Sequence, residues 1–159
     1  MKTKTSWREK LQRDHDLPKV VRIPARMHRQ WGKGTIVIAA PREVDALMKQ
    51  VRRGKVTTID ELRSALAKRH DATIACPMTT GIFATIAARA AEEAEQAGKA
   101  RVTPYWRTLR AGGELNAKYP GGLPVLRSRL EAEGHTVVAR GKRLFVADFA
   151  RVLVRPSAK

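Results

Sequence analysis

The tetrapeptide Pro104-Tyr105-Trp106-Arg107 puts a phenol, an indole and a guanidinium side by side, and Tyr119, Glu133 and His135 follow downstream. A phenol of ordinary pKa, about 10, stays protonated near neutral pH. A thiolate is a far better nucleophile than any neutral hydroxyl. Indole contributes a single N–H donor and no base. The cluster therefore offers stacking faces and hydrogen-bond donors but nothing that attacks an electrophile. The chain's one thiol is elsewhere, at Cys76. It stands just before Pro77, near the start of an expected helix, where the dipole can lower a thiol pKa. A reactive thiol and a small buried residue are both open readings of it. Glu133 is a carboxylate that an enzyme could use for acid–base work. One cysteine and four scattered histidines have no metal-ligand spacing, so neither metal nor cofactor is expected. The chain shows no phosphate-cradling glycine loop and no Ser-His-Asp arrangement.

The elements that must position these groups follow from periodicity. Residues 6–13 read as a short helix with Ser6 and Glu9 spaced as a capping box. An irregular basic arm continues to residue 34. Its two tryptophans, Trp7 and Trp31, are costly to leave in water, so part of it should pack on the body. Residues 35–40, TIVIAA, predict a strand. Pro41 opens a helix carrying Val44, Leu47, Met48 and Val51 at i, i+3, i+4 and i+7. A second helix begins at Thr57/Thr58, with Thr58 and Glu61 as a capping box, and ends near His70. A third runs from about Pro77–Thr80 to Gly98 with Ile82, Phe83, Ile86, Ala87, Ala90 and Ala94 on its apolar side. Two helices joined by a short loop suit a helix-turn-helix. After Pro124 a helix turns Leu126 and Leu130 inward. The last segment reads as a hairpin, 136–139 and 143–148, with its turn at Arg140-Gly141. The expected organisation is a basic arm (1–34), one domain (35–154) and a tail (155–159), mainly α with a small β component.

Charge narrows the class. Thirty-two Lys and Arg against 15 acidic residues give +17 and a pI near 11.1, a field suited to a polyanion. No run of about 18 apolar residues predicts a membrane span, and the N-terminus has no apolar h-region of a secretory signal. A single cysteine fits a reducing cytosol. A cytoplasmic protein is expected, nucleoid-associated if bacterial.

The ordered set Pro104-Tyr105-Trp106-Arg107, Tyr119-Pro120-Gly121-Gly122 and Glu133-Gly134-His135 resembles the DNA-binding domain of O6-alkylguanine-DNA alkyltransferases. That family has Pro-Cys-His-Arg, an aromatic-x-Gly-Gly segment and a helix ending in Glu-Gly-His. The match spans roughly residues 41–135, with Tyr105 in place of the acceptor cysteine and Trp106 in place of the proton-relaying histidine. The resemblance implies a winged helix-turn-helix fold, with 57–70 as first helix and 79–97 as recognition helix. It also implies a base pocket built from Tyr105, Trp106, Arg107, Tyr119, Gly121 and Gly122. DNA contacts are implied at Thr57, Thr58, Thr79, Thr80, Gly81, Phe83 and Arg89, and from a basic wing at Arg140, Lys142 and Arg143. Phe83 reads either as an apolar wedge or as core. The family's tyrosine early in the first helix corresponds to Ile59. Glu133 matches the carboxylate that orients the relay, with no histidine here to orient.

Together these readings describe a monomeric protein that binds double-stranded DNA and recognises an alkylated base turned out of the stack. It would not transfer the alkyl group and would pass the lesion to other repair proteins. Two alternatives stand beside this one. The first is an active alkyltransferase or base-processing enzyme using Cys76 or Glu133. The second is a basic module binding nucleic acid without specificity, in which the aromatics are simply core.

Overall fold

A computed structural model describes residues 5–157; the first four residues of the basic arm and the last two of the tail lie outside it. Among the described residues the architecture is mainly helical, with three small sheets. Its axis is the 20-residue helix here labelled α5, Pro77–Gln96. Ala84, Ala87, Ala88 and Ala91 line its buried side. Methyl side chains let neighbouring backbones approach closely, and α1 (Trp7–Gln12) and α3 (Pro41–Lys49) both pack there. The intervening helix α2, His28–Trp31, is a single turn.

Capping explains where the helices begin. Ser6 Oγ accepts the Glu9 N–H at 3.1 Å, as its position predicts, and Thr58 Oγ1 accepts the Glu61 N–H at 3.3 Å to start α4 (Ile59–Arg69). The two free N–H groups of Trp7 and Arg8 donate to the Glu93 carboxylate of α5 at 2.9 and 3.0 Å. The Trp7 bond is the main reason the Glu93 pKa lies below its ordinary value. Pro41 and Pro77 each open a helix, at a position where the missing N–H costs nothing.

The basic arm is more ordered than its composition predicts. Residues Lys19–Arg22 form strand β1, antiparallel to β2 (Thr35–Ile38). β2 in turn runs parallel to β4, Ile74–Ala75, in the connection between α4 and α5. A second sheet joins β3 (Thr57–Thr58) to β5 (Thr108–Leu109) in parallel. The expected hairpin is present as β6 (Val137–Arg140) and β7 (Arg143–Val146). Its turn is one residue later than predicted, at Gly141-Lys142. The second strand stops at Val146, because Asp148 adopts φ 53° and Phe149–Val152 then wind into a short helix α7. Helix α6, Gly122–Ala132, starts two residues before Pro124. Gly121 precedes it at φ 84°, where a Cβ would lie 2.5 Å from the Val125 side chain.

Candidate nucleic-acid interface

The motif tetrapeptide folds as a 3-10 turn, Tyr105–Arg107, between α5 and β5. Tyr105 is only 2% exposed. Its ring meets Trp106 edge-on at 5.3 Å between centroids, and Tyr119 at 6.0 Å. Tyr119 is equally buried. The stacking faces expected of these two tyrosines are therefore turned into the interior and occupied by other rings. Burial raises the Tyr105 pKa, partly offset by the charge of Arg129. It raises that of Tyr119 further, against a smaller opposing contribution from the Asn116 side chain. The guanidinium of Arg129 covers Trp106 at 4.2 Å from the ring centroid and pairs with Glu95 at 2.8 Å, fastening α6 to the end of α5.

Glu133 sits beneath this aromatic group. Its carboxylate accepts from Trp106 Nε1 at 2.9 Å, from Arg107 Nε and Nη2 at 2.9 and 2.8 Å, and from the Gly54 N–H at 3.4 Å. Arg107 also donates to the Val51 carbonyl at 2.8 Å. Burial would raise the Glu133 pKa, but the Arg107 and Trp106 hydrogen bonds outweigh it and hold the carboxyl below its usual range. A carboxylate filled with donors and kept ionised is a structural acceptor. The indole of Trp106 thus makes the hydrogen bond to Glu133 that the sequence left without a donor. His135 adjoins the node; its Nε2 is enclosed without a partner among the described residues, and burial is the leading cause of its lowered pKa.

Cys76 caps α5 and is 7% exposed, packed with Ile23 and Ile36. His70, its neighbour in sequence, is instead bonded to Glu43 through Nε2 at 2.6 Å. The geometry fits the small buried residue, not the acceptor thiol.

The surface beside α5 differs from the pocket that the motif implies. A cleft of about 390 Å³ runs along the first half of the helix, lined by Ile59, Pro77, Gly81, Arg110, Asn116 and Lys118 among others. Met78 and Ile82, also on its wall, are 67% and 53% exposed. Ile82 was expected on the buried side. It lies two residues before Ala84, about 200° round a helix of 3.6 residues per turn, so the alanine face turns it to solvent. Phe83 packs against the main core instead. Of the other predicted contacts, Gly81 lines the cleft, with open space where a Cβ would stand. Thr57 is fully buried and donates to the Val154 carbonyl at 2.9 Å; Thr58 is spent on its cap; Thr80 donates to the Cys76 carbonyl at 2.7 Å. Thr79 is half-buried. Arg89 donates to the Lys118 carbonyl and lies 5.3 Å from the Trp7 ring.

The basic hairpin joins this surface through one loop. Glu114 bridges to Phe145 of β7, and the Leu115 N–H donates to the Leu144 carbonyl at 2.9 Å. Glu114 also stands 3.9 Å from both Arg110 and Arg143. Arg140, Lys142 and Arg143 are exposed along the hairpin tip, Arg140 lying 4.9 Å over the Phe145 ring. Arg110 and Lys118 at the cleft and the three cations of the hairpin therefore lie on two segments that are bonded to each other. Sequence reading overlooked Met78, Arg110, Asn116 and Lys118. The phase of the alanines was the available signal for Met78; nothing local marked the other three.

No family profile matches the chain, and no curated protein matches it. Among solved structures it is similar to the crystal structure of S. pombe Atl1 in complex with damaged DNA containing O6-carboxymethylguanine. The similarity covers 73% of this chain and 94% of that one, at 16% sequence identity and a TM-score of 0.48. Among the described residues, no helix is long and apolar enough to cross a membrane.

Proposed function

We propose that this chain is a DNA-binding protein that receives an alkylated base, turned out of the duplex, in the cleft beside α5, and does not transfer the alkyl group. In this reading α4 and α5 act as the helix-turn-helix, α5 as recognition helix and β6–β7 as the wing. The observation that carries it is the pairing of cleft and helix face: two uncovered apolar side chains, Met78 and Ile82, stand beside a hollow rimmed by Arg110 and Lys118. Apolar side chains that wedge between base steps prise a nucleotide out, cations bind its phosphates, and a cleft of this size lies within the roughly 300–1,000 Å³ of ligand pockets. The non-transfer half rests on chemistry. Tyr105 is a buried phenol with a raised pKa, and the one thiol is enclosed beside Ile23 and Ile36.

A second reading, DNA binding without lesion preference, is favoured by the enclosure of Tyr105 and Tyr119, which leaves the cleft without an aromatic floor. Binding to matched duplexes with O6-methylguanine or guanine across a salt series separates the two. Tighter binding of the lesion, weakened in Ile82→Ala and Arg110→Ala, with an unchanged intact protein mass after incubation, supports the proposal. Equal affinity at every salt concentration would leave the nonspecific reading, and a mass increase of one methyl group would establish transfer.

A further inference from the structure

The N-terminal sheet stands beside the first turn of α5, and its charge is one-sided. Residues 17–34 contain Lys19, Arg22, Arg26, Arg29 and Lys33 and no acidic residue. All five are exposed, and none makes an ion pair among the described residues, whereas most acidic side chains elsewhere are already paired. Like charges left this close repel one another, so folding by itself gives no reason to gather them.

Their placement is fixed by three attachments. β1 lies two strand spacings from β4, about 10 Å, and the chain leaves β4 directly into Cys76 and Pro77 of α5. Met27 and Trp31 pack on Ile23, Ile36 and Cys76, so the short helix bearing Arg29 sits on the residue that caps α5. Thr35 and Thr73 exchange hydrogen bonds, each side chain accepting the other's backbone N–H at 3.0 and 3.1 Å, which ties the segment to the α4–α5 connection.

We infer that this element is a second contact for the DNA backbone, with Lys19, Arg22, Arg26, Arg29 and Lys33 reaching phosphates that flank the nucleotides met by the first turns of α5. The inference rests on the DNA-binding reading above, but not on lesion preference. It gives Cys76 and Trp31 a purpose as well: they anchor the phosphate-binding element to the recognition helix.

The test removes the five charges as Gln and compares the salt dependence of duplex binding with that of a control. The control replaces Arg52, Lys55, Lys99, Arg101 and Arg151 with Gln; these residues are also exposed and without ion pairs among the described residues. Lys99 and Arg101 follow the far end of α5, about 30 Å from its first turn by helix rise. Each lost phosphate contact lowers the slope of log K against log salt by roughly 0.9, so five contacts amount to about 4.5. A loss of slope at least about 1.8 greater than the control's, two phosphates' worth, is the expected result; anything smaller overturns the inference. Circular dichroism verifies folding, and Arg26→Gln/Arg29→Gln, which leaves β1 intact, replaces the larger variant if that one unfolds, with a threshold of about 0.9. Lesion preference is read from the same titrations. Its loss from the wild type refutes the proposed function and leaves this inference standing, while a wild type that binds no duplex refutes both.

Discussion

Glu133→Ala is the substitution whose consequence follows most directly from the geometry. The carboxylate is 4% exposed and its partner Arg107 14%. Removing it leaves a guanidinium enclosed beside an indole N–H, and among the described residues only the Val51 carbonyl remains as an acceptor for Arg107. Breaking a buried ion pair by deleting one partner costs about 3–5 kcal/mol, because the remaining charge is uncompensated. For a domain of this size that is a fall in Tm of roughly 6–20 °C. Glu133→Gln keeps the volume and one acceptor oxygen, so its loss should be smaller. Urea titration followed by circular dichroism gives both values at constant m. The pH dependence supplies a separate check. The folded carboxyl titrates below its unfolded value of about 4.3. Its stabilisation is therefore complete above that value and disappears as pH falls through the lower folded pKa. The gap between wild type and Glu133→Gln should accordingly be constant near neutrality and close below about pH 4.3. A loss under about 1 kcal/mol in Glu133→Ala, or a gap that widens in acid, would refute the assignment of this node as the clamp joining α6 to the motif.

Three other outcomes are expected. Tyr119→Phe should be neutral or stabilising by about 1 kcal/mol, because among the described residues its buried hydroxyl meets no partner at hydrogen-bond geometry, the nearby Asn116 side chain included; a marked loss in urea titration would mean that Asn116 does bond it. Gly121→Ala should cost at least about 1–2 kcal/mol from the left-handed φ alone, with the contact to Val125 added to it, and thermal melting at neutral pH measures it. Cys76 should react with an aromatic disulfide reagent only as fast as the protein opens, since it is 7% exposed; rapid stoichiometric labelling of the native chain would restore the accessible thiol.

The sequence by itself determined whatever depends on neighbours along the chain. Ser6 and Thr58 cap their helices because a side-chain oxygen reaches an N–H three residues on. Pro41 and Pro77 open helices because a missing donor costs nothing there, and the valines and alternating residues of the last segment pair as a hairpin. The net charge, and with it a field suited to a polyanion, needs no coordinates either. Tertiary structure decided which groups stand in water. Tyr105 and Tyr119 carry the same rings whether they line a pocket or pack on each other, and only the approach of α6, fastened by Arg129 and Glu95, closed their faces. Ile82 and Phe83 are adjacent and equally apolar, yet the alanine contact with α1 and α3 set the rotation of α5 that exposes one and packs the other. Part of the basic arm is a strand because β2, paired on one side with β4, offers its other edge to it. Such long-range pairings leave no periodic trace in either segment, so composition alone read an ordered element as an irregular one.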